Sequence, residues 1–329
     1  MSGRDKVVLV TGGAGYIGSV LVGQLLDGRW AVRTIDKLMF GGDALSSYLS
    51  RPGFEFVEGD ICRADDLQPA LEGVGTVVHL AAIVGDPACK KYPELAIETN
   101  KNGSELLCEM AMEAGVSRFV FASTCSNYGA MSEPDGYVDE TSPLSPVSLY
   151  AELKVDFEKQ LLQLNRDDFA TVCLRFATAH GLSPRPRFDL TVNEFTRDLV
   201  LGKELEIYGE QFWRPYCHTT DLARAVVRAL EADTARVAGK AFNVGDTAEN
   251  YQKKTLVEMI LERLPQMREK VRYVERTEDP RNYRVNFDRI NSELGFKAKK
   301  RVADGIGEYI LAIQSGQIRD PEDRRYTNL

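Results

Sequence analysis

The sequence predicts an α/β protein: a Rossmann-type, doubly wound parallel sheet carrying a smaller, mostly C-terminal α/β substrate lobe. Three observations carry this expectation. A short apolar run, Lys6-Val7-Val8-Leu9-Val10, leads through a glycine-rich turn, Thr11–Ser19, into Val20–Leu26, whose apolar residues fall at helical spacing. Further strand-length apolar runs then alternate with helical stretches as far as Phe176, an order that builds parallel sheets covered on both faces. The 329 residues exceed what a single hydrophobic core usually holds, so a second, smaller lobe is expected.

The turn Thr11-Gly12-Gly13-Ala14-Gly15-Tyr16-Ile17-Gly18-Ser19 between a strand and a helix is a phosphate hinge. Gly12 permits the tight turn, Gly15 lets backbone approach a diphosphate, and Gly18 lets the helix pack near the strand. The free N–H groups and the dipole at the helix start favour an anion there, with Tyr16 and Ile17 beside it. Trp30–Ile35 reads as the second strand and Asp36 ends it. A carboxylate about 20 residues past the turn accepts both hydroxyls of an adenosine ribose and repels a 2′-phosphate, so NAD is favoured over NADP. Lys37 is a neighbouring cation that complicates this preference.

Phe54–Glu58 alternates as a third strand. Asp60 after it can accept from an adenine amino group while Ile61 covers the ring, and Asp60 can also cap the following helix. Thr76–Leu80 is a central strand. It runs into Ala81-Ala82, small residues that, with Leu80, let a cofactor approach the backbone. His79 within it reads as a packed core histidine. Glu94–Ala114 reads as one long amphipathic helix, in which Asn100 is a polar residue on a core-facing stretch and is grouped with the cofactor contacts.

Arg118–Ser123 is the fifth strand. Thr124-Cys125-Ser126-Asn127-Tyr128-Gly129 follows at its carboxyl end, where open α/β sheets bind their ligands. Pro143–Leu149 then leads into a helix holding Tyr150 and Lys154, which at i and i+4 share one face. An ammonium near a phenol stabilises phenolate, which makes Tyr150 a candidate general base.

Taken together, the glycine turn, Asp36, Asp60-Ile61, Leu80-Ala81-Ala82, Ser123-Thr124, Tyr128-Gly129 and Tyr150-x-x-x-Lys154 resemble the extended short-chain dehydrogenase/reductase family. More narrowly, the chain looks like its NAD-dependent nucleotide-sugar epimerases and dehydratases, over essentially its whole length. The resemblance implies catalytic roles for three residues. Tyr150 takes the proton of a sugar 4-hydroxyl, Lys154 binds the nicotinamide ribose and tunes Tyr150, and Thr124 hydrogen-bonds the reacting oxygen. The 4,6-dehydratases of the family carry Asp-Glu directly after this threonine. Here the pair is Cys125-Ser126, so chemistry confined to C4 is expected, with Cys125 and Ser126 lining the substrate site. His180 falls where the family approaches the nicotinamide pocket.

The resemblance also assigns substrate contacts in the second half of the chain. Asn193 and Arg214 are expected at the substrate diphosphate, Arg281 after Glu278-Asp279-Pro280 is the second phosphate-binding arginine, and Tyr208 lies on the base-contacting strand. Arg185 and Arg187 lie in a loop, Ser183–Leu190, with substrate contact or surface charge equally open. A narrower likeness, in Ala81–Cys89 and Pro184–Leu190, is to enzymes that oxidise C4 of nucleotide-activated heptoses. It makes Val84 and Gly85 room for a sugar larger than a hexose. The expected domains are a dinucleotide domain over 1–180, to which 210–240 returns, and a nucleotide-sugar lobe over 181–209 and 241–329. A homodimer is expected by resemblance, through helices around Asn100–Met112 and Tyr150, with Leu106, Leu107, Phe157, Leu161 and Leu162 as compatible apolar positions.

Composition bounds the rest. A net charge of −8 argues against a nucleic-acid or anionic-membrane partner. The six cysteines form no Cys-x-x-Cys pair, so neither a metal site nor a disulfide framework is expected, and a reducing cytoplasm fits. The leading expectation is a nucleotide-sugar C4 epimerase using NAD. The alternatives are a net C4 dehydrogenase, a non-catalytic NAD-binding redox sensor and a reductase of small carbonyl compounds.

Overall fold

A computed structural model describes residues 7–129, 131, 136–275 and 281–328. The twelve strands in chain order are β1 (Val7–Thr11), β2 (Val32–Asp36), β3 (Phe54–Glu58), β4 (Val74–His79), β5 (Arg118–Thr124), β6 (Ala170–Phe176), β7 (Thr178–His180), β8 (Leu205–Tyr208), β9 (Trp213–His218), β10 (Lys240–Val244), β11 (Asn250–Gln252) and β12 (Val271–Val274). Seven of them form one sheet in the order β10-β6-β5-β4-β1-β2-β3, and every pair in it is parallel. The expected doubly wound sheet is therefore present. The strand order reverses between β1 and β4, and a crevice for ligands opens outside the carboxyl ends at such a switch point.

The strands form because their apolar runs are buried on both faces. Val8, Leu9, Val10, Val77, Val78, Val120, Val172 and Leu174 are all essentially inaccessible. One face packs with helix Tyr16–Asp27 and helix Thr219–Glu231; the other packs with the helices that carry Leu67, Leu107, Phe157 and Leu161. A separate core built on Val192, Leu205, Ile207, Leu256, Ile260, Val302 and Ile306 belongs to the smaller lobe. There β7, β9 and β11 form a three-stranded sheet, and β8 and β12 pair in parallel. The strand Lys240–Val244 joins the main sheet beside β6, so the return to the sheet continues past residue 240.

One expectation needs correction. Glu94–Ala114 is not one regular helix. It runs as α-helix Pro93–Ile97, π-helix Glu98–Gly103 and α-helix Ser104–Glu113. The cause is local: Asn100 turns inward to accept from Ile83 N (2.8 Å) and donate to Ile83 O (2.8 Å), and Gly103 sits against Ile61 and Cys62, where a Cβ would clash with the sulfur. An extra residue per turn accommodates both contacts. Leu107, Phe157 and Leu161 are packed in the chain's own core, and Leu106 and Leu162 pack at its edge. No helix among the described residues is long and apolar enough to cross a membrane.

Candidate active site

A cavity of about 450 Å³ lies at the carboxyl ends of β1, β2, β4 and β5. It is built from the glycine turn upward. Gly12 has φ +74, and a Cβ there would sit 2.9 Å from Ala81 N; a Cβ on Gly18 would collide with Gly12 O. Both positions are closed to any side chain by backbone alone. Gly15 is the N-cap of helix Tyr16–Asp27 and supplies no capping side chain, so the first N–H groups of that helix keep their donors for a ligand. Asp36 accepts from Ala14 N (3.0 Å) and Leu38 N (2.8 Å). Leu38 has φ +57, a conformation that costs a branched side chain energy and that aims its N–H at the carboxylate. Burial raises the Asp36 pKa, while these two amides and the nearby Arg185 and Lys37 charges oppose the rise. This donor set and its glycine cradle fit a dinucleotide.

Along the cavity from there lie Tyr16, Ile17, Asp60, Ile61, Leu80, Ala81 and Ala82, all on its wall. Asp60 is not the helix cap; Arg63 stands there. The Asp60 carboxylate instead accepts from Cys62 N (3.0 Å) and pairs with Lys37 (3.1 Å), which occupies the cation next to Asp36. Tyr16 donates to Gly181 O (2.5 Å) and accepts from Asn193 Nδ2 (3.2 Å), tying the turn to the smaller lobe. His79 is a core residue as expected: it bonds Thr11 Oγ1 and Ser104 Oγ, stacks on Phe121, and burial holds its pKa near 3, so it stays neutral.

At the far end the wall holds Thr124, Ser126, Tyr150, Lys154 and Val84. Ser148 caps helix Leu149–Gln163, and Tyr150 and Lys154 rise from its first turns. Lys154 Nζ donates to Ala122 O (2.8 Å), lies 4.5 Å over the Phe121 ring and stands 6.0 Å from the Tyr150 ring centre. Burial lowers its pKa to about 8. Burial likewise pushes the Tyr150 phenol up, and the Arg187 charge pulls it back. A buried phenol with cations as neighbours is a base only while those cations stay charged. Thr124 Oγ1 accepts from Ser126 N (3.1 Å), which fixes its rotamer at the strand end.

Five residues assigned to binding do not line this cavity. Asn100 acts on Ile83 behind the wall. Cys125 is buried, with its thiol on Arg175 O (3.1 Å) and its pKa driven up by burial, so it is a packed thiol. Asn193 is inaccessible, held by Gly181 N, Arg187 O and Tyr16. Tyr208 is exposed and bonds Glu206 (2.7 Å). Arg214 donates to Trp213 O and lies over the Tyr283 ring, whose OH reaches Ser126 Oγ (3.4 Å). His180 also lies away from the cavity. It is packed against Gly305 and His218, its pKa lowered to about 3 by burial. Arg185, Arg187 and Arg281 do line it, but Arg185 stands at the Asp36 end, 4.0 Å over the Phe40 ring. Residues Glu278, Asp279 and Pro280 lie outside the described residues.

Two groups escaped the sequence reading. Asp86 accepts from Ser148 Oγ (2.7 Å) and pairs with Arg281 (2.5 Å), so one carboxylate joins the Val84 loop, the cap of the Tyr150 helix and the outer arginine. The run Gly85-Asp86-Pro87 at a helix start was its sequence signal. Beneath Thr124, Glu158 accepts from Arg175 (2.6 and 2.9 Å) and Ser123 (2.5 Å), and Arg175 reaches Tyr128, which donates to Asn243 (2.7 Å). Its signal was an arginine in a buried strand, with a glutamate four residues after Lys154 on the same helix face.

With this geometry in hand, comparison with known proteins decides the family: the model of the NAD dependent epimerase/dehydratase family matches residues 8–245. The chain belongs to that family. The dTDP-glucose 4,6-dehydratase of Streptomyces niveus is 30% identical over 313 residues, covering 92% of this chain and 91% of that protein. The crystal structure of DesIV, a dTDP-glucose 4,6-dehydratase from Streptomyces venezuelae with NAD and TYD bound, superposes with a TM-score of 0.85 at 29% identity, covering 95% of this chain and 98% of that one. The NAD complex of UDP-glucose 4-epimerase from Thermus thermophilus gives 0.80 at 26% identity, covering 94% and 99%. Members of this epimerase/dehydratase family depend on NAD, and the glycine cradle and Asp36 described above are where this member would hold it.

Proposed function

We propose that the protein is a nucleotide-sugar 4-epimerase that works by transient oxidation at C4. One observation carries the reading. Thr124, Tyr150 and Lys154 converge at one end of the dinucleotide cavity, while the loop after Thr124 offers a buried thiol, Cys125, and a hydroxyl, Ser126, instead of carboxylates. Elimination of water across C5–C6 needs an acid and a base beside C5 and C6. Among the described residues, the carboxylates on the wall are Asp36 and Asp60 at the adenosine end, Asp189 bound to Arg187, and Asp86 bound to Ser148 and Arg281.

In this reading Thr124 Oγ1 and Tyr150 OH hold the sugar 4-hydroxyl, and Tyr150 removes its proton. The Lys154 ammonium, fixed by Ala122 O, stabilises the resulting phenolate and holds the nicotinamide ribose. NAD bound there would supply a reversible hydride acceptor for C4. Val84 and Gly85 leave space for the 4-keto sugar to turn its other face before Tyr150 returns the proton. Arg281 is the arginine placed to bind the substrate diphosphate, which would require it to let go of Asp86. A homodimer through the helix pair around Asn100–Met112 and Leu149–Gln163 is part of the same proposal; the exposed Ile97 and Leu164 are available at the ends of those helices.

Purified protein incubated with a panel of dTDP-, UDP-, GDP- and ADP-sugars, with product configuration read by NMR, tests the assignment. Inversion at C4 of one sugar is the expected product. A 4-keto-6-deoxy sugar would make it a dehydratase, stoichiometric NADH a net dehydrogenase, and silence across the panel would end the enzyme reading.

A further inference from the structure

The adenosine end of the cavity is closed by a part of the chain far from any motif. Asn328 is on the cavity wall, together with Met39, Phe40 and Arg185. Arg185 is the post that holds this arrangement. Its Nη2 donates to Asn328 Oδ1 (2.8 Å) and to the Arg325 and Thr327 carbonyls (3.2 and 3.4 Å), and its guanidinium stacks on Phe40. Its Nε is buried and has no partner among the described residues. Arg185 is 6% exposed, and Asp36 lies within electrostatic reach of it. A guanidinium buried with one donor unused, beside the carboxylate that binds a ribose, is what an adenosine phosphate ligand would satisfy.

The segment Asp323–Asn328 is tied down independently on both sides of Arg185. Tyr326 O accepts from Phe188 N (2.7 Å) and its ring packs against Phe188, while Arg325 pairs with Asp43, just beyond Phe40. The segment therefore bridges the smaller lobe and the loop after Asp36.

We propose that Arg185 is a cofactor ligand rather than a substrate ligand, and that Arg185, Phe40 and Asp323–Asn328 together form a strap over the adenosine half of NAD that slows its release. A cofactor retained through many turnovers suits a reaction that returns its hydride, since NADH then stays for the second half of the cycle. The inference rests on the NAD site alone and does not require the epimerase reading.

The test separates the two assignments of Arg185. NAD-loaded wild type, Arg185→Ala, Arg185→Lys and Tyr326→Ala are diluted, and NAD dissociation is followed by quantifying retained nucleotide against time. Binding of UDP, GDP and dTDP is measured in parallel by calorimetry. Arg185→Ala and Tyr326→Ala are expected to speed NAD loss by roughly tenfold or more, Arg185→Lys less, with nucleoside diphosphate affinity unchanged within about twofold. Unchanged NAD release in Arg185→Ala, or a roughly tenfold loss of nucleoside diphosphate affinity with NAD retained, overturns the proposal. If the variants do not fold, hydrogen exchange on the wild-type protein decides: AMP alone should protect residues 323–328, and unaltered exchange there refutes the strap.

Discussion

If Tyr150 is the base, as proposed, replacing Lys154 with Met removes the charge that would stabilise its phenolate while keeping the length of the side chain. The ammonium stands 6.0 Å from the Tyr150 ring centre. At an effective dielectric of about 20, a unit charge at that distance is worth roughly 3 kcal/mol, or about 2 pKa units on the phenol. Where phenolate is the minor form, the rate follows its fraction, so kcat/KM at neutral pH should fall about 100-fold at saturating NAD. The pH profile gives the sharper signature. In the wild type, activity is expected to climb with the phenolate fraction and to level off where Lys154, lowered to about 8 by burial, loses its proton, because burial raises the Tyr150 phenol above that range. In Lys154→Met the break near pH 8 should vanish and activity should keep climbing with pH, the phenol now ionising about 2 units higher. The lost donor to Ala122 O also costs about 1–3 kcal/mol of stability, which a melting curve reads separately. A variant with the wild-type profile would refute the idea that Lys154 tunes Tyr150.

Other outcomes follow from the same geometry. Asp36→Ala should weaken NAD binding by about tenfold or more and narrow the preference over NADP, because the ribose acceptor and the repulsion of a 2′-phosphate go together; equilibrium binding of both cofactors checks this. Glu158→Ala leaves Arg175 charged and buried, and should cost about 3–5 kcal/mol in urea unfolding. Asp86→Asn keeps an acceptor for Ser148 but loses the charge on Arg281, so KM for the nucleotide sugar should change more than kcat, as steady-state kinetics would show. His180 is held at about 3 by burial, below its ordinary value, so it contributes stability that is intact above about pH 6.5 and lost as pH falls toward 3. Calorimetric melting should show Tm declining on acidification from that point, and a His180→Phe variant should decline less.

The sheet was legible because its strands are buried on both faces and so read as continuous apolar runs, and because only glycine fits at Gly12 and Gly18. Asp36 and the Tyr150–Lys154 pair were legible from spacing joined to context, the one following a glycine turn and the other one helix after a strand ending in Ser123-Thr124, because strand end and helix turn set where those side chains point. The arginines expected at the substrate were less so: a segment pattern names Arg214 and Arg281 together, yet only the fold shows Arg281 on the wall and Arg214 stacked on Tyr283. The break in the Glu94–Ala114 helix was hidden because periodicity cannot register a clamp from Asn100 to Ile83, 17 residues back along the chain. Phe40 and Asn328 had no signal at all, because what brings them together is a contact across the whole chain through Arg185.

In the proposed cycle, hydride leaves C4 and comes back to it within one active site. The most direct measurement supplies the reacting nucleotide sugar with deuterium at C4 and reads the product by NMR and mass spectrometry. The expected product is a C4 epimer that keeps its deuterium at C4, with no accumulation of NADH. Product in which the label has moved to C6, or label captured in released NADH, would contradict it.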